Sequence, residues 1–97
     1  MKLRYTAPAL ADLKAIAKYL DPRSPQGTRR VLERIKARIE QLPDQPFIGK
    51  RTQDPTIRRL TTPPYLYLIF YEVSGDEIIV HAVRHGVSDP SSMPSQS

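Results

Sequence analysis

From Leu10 to Leu20 the apolar residues Leu10, Leu13, Ile16, Ala17 and Leu20 return at steps of three and four, while Asp12, Lys14 and Lys18 fall between them. That period puts the apolar set on one stripe of a helix. Thr6 stands at the N-cap position, and Pro8 is tolerated in the first turn, where its missing N–H has no intrahelical partner to lose. Lys2 to Tyr5, just before, alternates as a short strand. The stretch "DPRSPQG" then breaks the period. Ser24 and Pro25 read as the N-cap and first residue of a second helix, whose stripe Leu32, Ile35, Ile39 and Leu42 stops before Pro43. Two helices joined by a short Pro-rich turn predict an antiparallel hairpin.

After Pro43 the helical period is lost. Pro43 to Pro55, "PDQPFIGKRTQDP", reads as a loop with Phe47 and Ile48 plugging the core and Lys50 and Arg51 protruding. Three β-type runs follow, "TIRRLTTPPY", "LYLIFYEV" and "IIVHAVRH", the last two close enough around Gly75 to form a hairpin. Alternation in the middle run puts Tyr65, Tyr67, Ile69, Tyr71 and Val73 on one face and Leu66, Leu68 and Phe70 on the other. Apolar residues on both faces mark a central strand. One face receives the helical hairpin; the amphipathic tyrosine face either meets a partner or is covered by loops. The order β, α, α, β, β, β predicts an α+β fold: a short N-terminal strand and an antiparallel helical hairpin packed on one face of a C-terminal antiparallel β-sheet. Residues 1–90 make one domain, and 91–97, the end of "SDPSSMPSQS", have the composition of a disordered tail.

Ninety-seven residues support one core, with no room for a second domain or a large enclosed cofactor pocket. There is no Cys, "MKLRYTAPAL" lacks an apolar leader, and no run approaches the roughly 18 apolar residues of a membrane span. A soluble cytoplasmic protein is the expectation. The net charge of +5 and pI near 9.8 raise encounter rates with nucleic acids and acidic proteins without bearing on the fold. Much of that charge lies on the second helix, where Arg30, Arg34 and Arg38 sit four apart, Arg29 and Lys36 flank them, and Glu33 is the only acid from 29 to 38. Like charges at that spacing cost a few tenths of a kcal/mol each. The face is therefore either a solvated exterior or a surface for an acidic protein or nucleic acid.

Arg58 to Pro90, "RRLTTPPYLYLIFYEVSGDEIIVHAVRHGVSDP", resembles the C-terminal half of ParE-type toxins of the RelE/ParE superfamily, the toxic partners of bacterial type II toxin-antitoxin modules. "APALADLKAIAKYL" is similar to the first helix of that family, and "LPDQPFIGKR" to the exit from its second, so the resemblance covers about residues 3 to 90. It implies one of two activities. ParE-like members poison DNA gyrase, whereas RelE-like members cut mRNA in the ribosome.

RNA cleavage by a 2′-hydroxyl needs a base, an acid and positive charge around the phosphate. The resemblance offers Arg58, Arg59, Arg84 and His85 as candidates. It also withholds pieces: the long-strand position that is commonly arginine in the ribonucleases is Leu68, and no tyrosine follows Tyr71. His85 could act as a lone acid or base, or the "RHG" ending could serve neighbouring backbone or the antitoxin. His81 and His85, four apart on a strand without a carboxylate at ligand spacing, make no metal site. No Gly-rich phosphate loop is present, and no cofactor is implied. The resemblance thus implies a gyrase-inhibiting toxin that blocks replication and is neutralised by a cognate antitoxin, with Arg30, Arg34, Arg38, Tyr67, Tyr71, Arg84 and His85 as partner-binding residues. The alternatives are a ribosome-dependent mRNA interferase and a non-toxic member that only binds.

Overall fold

Both helices start where their caps place them. In the computed structural model, which describes residues 1–86, α1 (Ala7–Leu20) is capped by the Thr6 hydroxyl accepting the Ala9 N–H at 3.2 Å. The Ser24 hydroxyl does the same for Gly27 at 3.0 Å in α2 (Pro25–Glu40). The expected tail 91–97 and the last residues of the expected 1–90 domain lie outside the described residues.

The strands are β1 (Lys2–Tyr5), β2 (Lys50–Arg51), β3 (Ile57–Thr62), β4 (Tyr65–Ser74) and β5 (Glu77–His85). They form one sheet in the order β1-β5-β4-β3-β2, antiparallel except for β1, which runs parallel to β5 at the edge. The sheet is therefore mixed, because the chain leaves β1 directly into α1 and returns to its side only through β5. The residues expected to protrude from the loop, Lys50 and Arg51, instead pair with Arg59 and Arg58 as a short added edge.

β4 is the central strand, and its tyrosine face is the one that receives the helices. Tyr67, Ile69 and Tyr71 join Ile35, Ile39 and Leu42 of the helical layer in the core, while Leu66 is exposed on the opposite, helix-free face. On β5 the core residues Ile78, Val80 and Val83 are spaced by two and then three. The register shift opposite Phe70 and Tyr71 inserts His81 as an extra residue, which restores the phase.

The helical stripes are also turned slightly from the expected ones. Ala9 is fully buried, whereas Leu10 is 47% exposed, and in α2 Val31 rather than Leu32 is buried. A small residue at position 9 lets α1 approach the sheet closely. Asp12, assigned to the polar side by periodicity, is half-buried and accepts the Val83 N–H at 2.9 Å. It satisfies a donor that the edge of β5 leaves once β1 has ended.

The β4–β5 hairpin closes through Gly75 and Asp76, with Gly75 at φ +59° in the first central position, as a type II′ turn requires. A methyl group there would meet open space, so the cost of adding one comes from the backbone alone. Gly75→Ala is expected to lower the unfolding free energy by about 1–2 kcal/mol in denaturant titration. An unchanged midpoint would show that the turn relaxes without strain.

Candidate functional site

The pleat of the sheet decides which candidate residues can meet. Arg59 pairs with Phe70 and Arg84 with Leu68, so both arginines share the helix-free face. Leu68 is only 8% exposed there, and the chain crosses it at Gly86, whose N–H donates to the Leu66 carbonyl at 2.7 Å. The Nε of Arg59 is buried without an acceptor among the described residues. On the same face His81 Nε2 and Glu72 Oε1 lie 2.8 Å apart, filling the bulge with a polar pair. Nearby, hydrogen bonds from the side chain and backbone of Thr56 hold the Asp54 carboxyl below its usual range.

Arg58 belongs to the other face. It pairs with Tyr71, and its Nη1 donates to the carbonyls of Gly49 at 2.8 Å and Phe47 at 3.4 Å, with the guanidinium 5.0 Å from the Phe47 ring. Phe47 and Ile48 are exposed rather than core plugs; Phe47 serves as the platform on which Arg58 rests. Beneath them the Tyr71 hydroxyl accepts the Gly49 N–H at 2.9 Å and donates to the Pro46 carbonyl at 2.8 Å. Tyr71 is wholly buried, so it holds the loop and offers no surface to a partner. Gly49 is required by this approach, because a Cβ would lie 2.7 Å from the tyrosine ring and hydroxyl. No local pattern announces this contact, since its partners are 22 and 25 residues apart.

His85 also lies on the helix side, at the far end of β5, with its ring edge-on to Tyr67 at 5.1 Å between centroids. Both line a cleft of about 510 Å³ between α1 and the end of β5, together with Asp12, Ile16, Tyr19 and Arg84. Tyr19 is 61% exposed and carries the Arg23 guanidinium 4.1 Å above its ring. By strand register the four residues offered for RNA cleavage divide between the faces of the sheet, while Arg84 and His85 also line this one cleft at the end of β5. Among the described residues no group of His, Asp and Glu could hold a metal ion, and no helix is long and apolar enough to cross a membrane.

The arginine ladder of α2 divides in a similar way. Arg34 Nε donates to the Pro63 carbonyl at 2.7 Å and Arg38 Nε to the Thr61 carbonyl at 2.9 Å, while Arg38 Nη1 reaches Gln41 Oε1 at 2.7 Å. These bonds lash the helix to the β3–β4 connection and account for the tolerated like-charge spacing. Arg30 remains exposed.

With the geometry in view, comparison with known proteins decides the family: the ParE toxin of type II toxin-antitoxin systems (parDE) matches residues 3–90. The chain belongs to the ParE toxin family. This ParE-family toxin is 35% identical over 80 residues to Toxin RelE2 of Caulobacter vibrioides, covering 82% of this chain and 86% of that one. It is 29% identical over 75 residues to putative toxin Y4kP of Sinorhizobium fredii, covering 77% and 78%. Among solved structures it resembles the chromosomal ParDE system from P. aeruginosa, at TM-score 0.77 and 25% identity, over 88% of this chain and 95% of that one. The isolated E. coli RelE toxin, at TM-score 0.64 and 14% identity over 93% and 88%, shares the fold. The protein is the toxin of a type II toxin-antitoxin system, and membership implies an antitoxin partner.

Two outcomes follow for the Tyr71 anchor. Tyr71→Phe leaves the Gly49 N–H and Pro46 carbonyl unpaired and should cost about 1–3 kcal/mol in thermal or chemical unfolding. Burial also pushes the Tyr5, Tyr67 and Tyr71 hydroxyls above their usual 10.0. Their stabilisation is therefore complete below that value and is lost as pH rises through the raised folded values. Denaturation midpoints should hold level up to about pH 10 and then fall, less steeply in Tyr71→Phe; midpoints that stay level at higher pH would contradict this.

Proposed function

We propose that this toxin acts by binding DNA gyrase and blocking replication, and that its antitoxin neutralises it by covering the binding surface. The observation that carries this reading is the separation of Arg58 from Arg59 and Arg84 by the thickness of the sheet. Acid-base work on a phosphate needs its groups within about 2.6–3.2 Å of the atoms they serve, or one water away. Residues on opposite faces of a packed sheet cannot converge in that way. Leu68 supports the same reading, since an apolar side chain facing Arg84 supplies neither charge nor a proton.

The binding surface then consists of Arg30, Arg84 and the cleft where Tyr67 meets His85. Arg34, Arg38 and Tyr71 act as its scaffold. Charge on the exposed arginines steers an acidic partner, and the cleft supplies an anchor for an apolar side chain.

The interferase reading rests on one observation, the buried Arg59 Nε that lacks an acceptor on the face it shares with Arg84. Purified toxin should be tested in parallel on gyrase with supercoiled DNA and on translating ribosomes with mRNA. Accumulation of gyrase-cleaved DNA with intact mRNA is the expected outcome. Ribosome-dependent mRNA cuts that vanish in Arg59→Ala with Arg84→Ala would reverse the assignment. Silence in both assays with antitoxin binding preserved would leave a member that only binds.

A further inference from the structure

Phe47 and Ile48 are neighbours in the chain, and the fold leaves them 63% and 39% exposed. The turn that carries them is held from within. Gln45 to Ile48 closes on itself, the Ile48 N–H donating to the Gln45 carbonyl at 3.3 Å, and Pro46 takes the second position, where its fixed φ suits such a turn. Tyr71 and Arg58 then occupy most of the remaining backbone. The carbonyls of Pro46, Phe47 and Gly49 accept from these two side chains, and the Gly49 N–H donates to the Tyr71 hydroxyl. A free loop of this composition would turn its Phe and Ile onto the core to escape water. Here the anchored backbone keeps both facing outward.

A rigid apolar tip suits binding, because its ordering is completed on folding and does not oppose association. Being convex, it fits a concave pocket in a folded surface, which a lone docked helix or strand does not form. Charge narrows the partner further. Lys50 and Arg51 follow the tip, both exposed, and stand directly opposite Arg59 and Arg58 in the β2–β3 ladder, which consists of those two pairs. Like charges so placed destabilise a strand pair. Asp44 is the only acid from 43 to 51. Cations kept against a cost in stability match an acidic rim on the partner. A second copy of this chain fits poorly, since it would bring the same cations, and a net charge of +5, against them.

We propose that Phe47 and Ile48 insert into an apolar, acid-rimmed pocket on the toxin's folded target. This rests on the reading that the target is gyrase, and it adds to the cleft of Tyr67 and His85 a second contact at the β2 edge of the sheet.

Full-length toxin should be titrated calorimetrically with gyrase and, separately, with the antitoxin encoded beside it, while gyrase-cleaved DNA is followed for each variant. Phe47→Ala should weaken gyrase binding by about thirtyfold or more, as loss of a central anchor does, and lower the yield of cleaved DNA. Ile48→Ser removes none of the side-chain bonds that hold the turn; it should weaken binding by about fivefold and keeps the test intact if Phe47→Ala loosens Arg58. Lys50→Glu with Arg51→Glu should weaken it by about tenfold at low salt and less as salt rises, yet unfold no earlier than wild type, because it relieves the like-charge pairing. Antitoxin affinity should stay within about twofold of wild type in all three. Gyrase affinities within about twofold for both Phe47→Ala and Ile48→Ser would overturn the proposal and leave the gyrase reading standing. Loss of antitoxin affinity with gyrase binding kept would overturn it by giving the tip to the antitoxin. A wild-type toxin that does not bind gyrase would overturn the reading and the proposal together.

Discussion

The two-residue period of β4 is the constraint on which the rest of the molecule depends. Tyr67, Ile69 and Tyr71 are turned into the helical layer, and burial of each large apolar side chain is worth roughly 1.5–3 kcal/mol. A slip of one residue would turn Leu66, Leu68 and Phe70 inward and break the bonds of the buried Tyr71 hydroxyl to Gly49 and Pro46, so that anchor holds the register where apolarity alone does not. The register is therefore fixed. With it is fixed the division of the neighbouring strand, which sends Arg58 to one face and Arg59 to the other.

That division gives the arginines distinct tasks. Arg58, Arg34 and Arg38 donate to the backbone carbonyls of Gly49, Pro63 and Thr61, which would otherwise need water as their donor. With Tyr71 they fasten the 43–49 loop and the β3–β4 connection to the core. Arg30 and Arg84 are exposed. A basic protein of this size thus spends part of its charge on its own scaffold, and net charge overstates what is free for a partner.

The element order apart from the short β2, both N-caps, the central strand and the Gly75 hairpin were legible from the sequence, because each depends on residues within a few positions of one another. The face of β4 that receives the helices was not, since both sets of β4 residues are apolar and only the helical layer chooses between them. Leu10 and Val31 escaped for a related reason: a helical stripe is wide enough that its centre can shift by one residue. Asp12, Arg34, Arg38 and Tyr71 find their partners across distant sequence, where no local pattern reports the contact. The four candidate residues for RNA chemistry were visible as residues, but their separation required the pleat.

The most direct test of a binding toxin against a cutting one is the order in which syntheses stop. Cells expressing the toxin without antitoxin would be pulse-labelled for DNA and protein in the same culture. The gyrase reading predicts that DNA synthesis falls first while protein synthesis continues. Protein synthesis falling first would contradict it, and would mean that the arginines of the helix-free face do chemistry without the partners left on the other side.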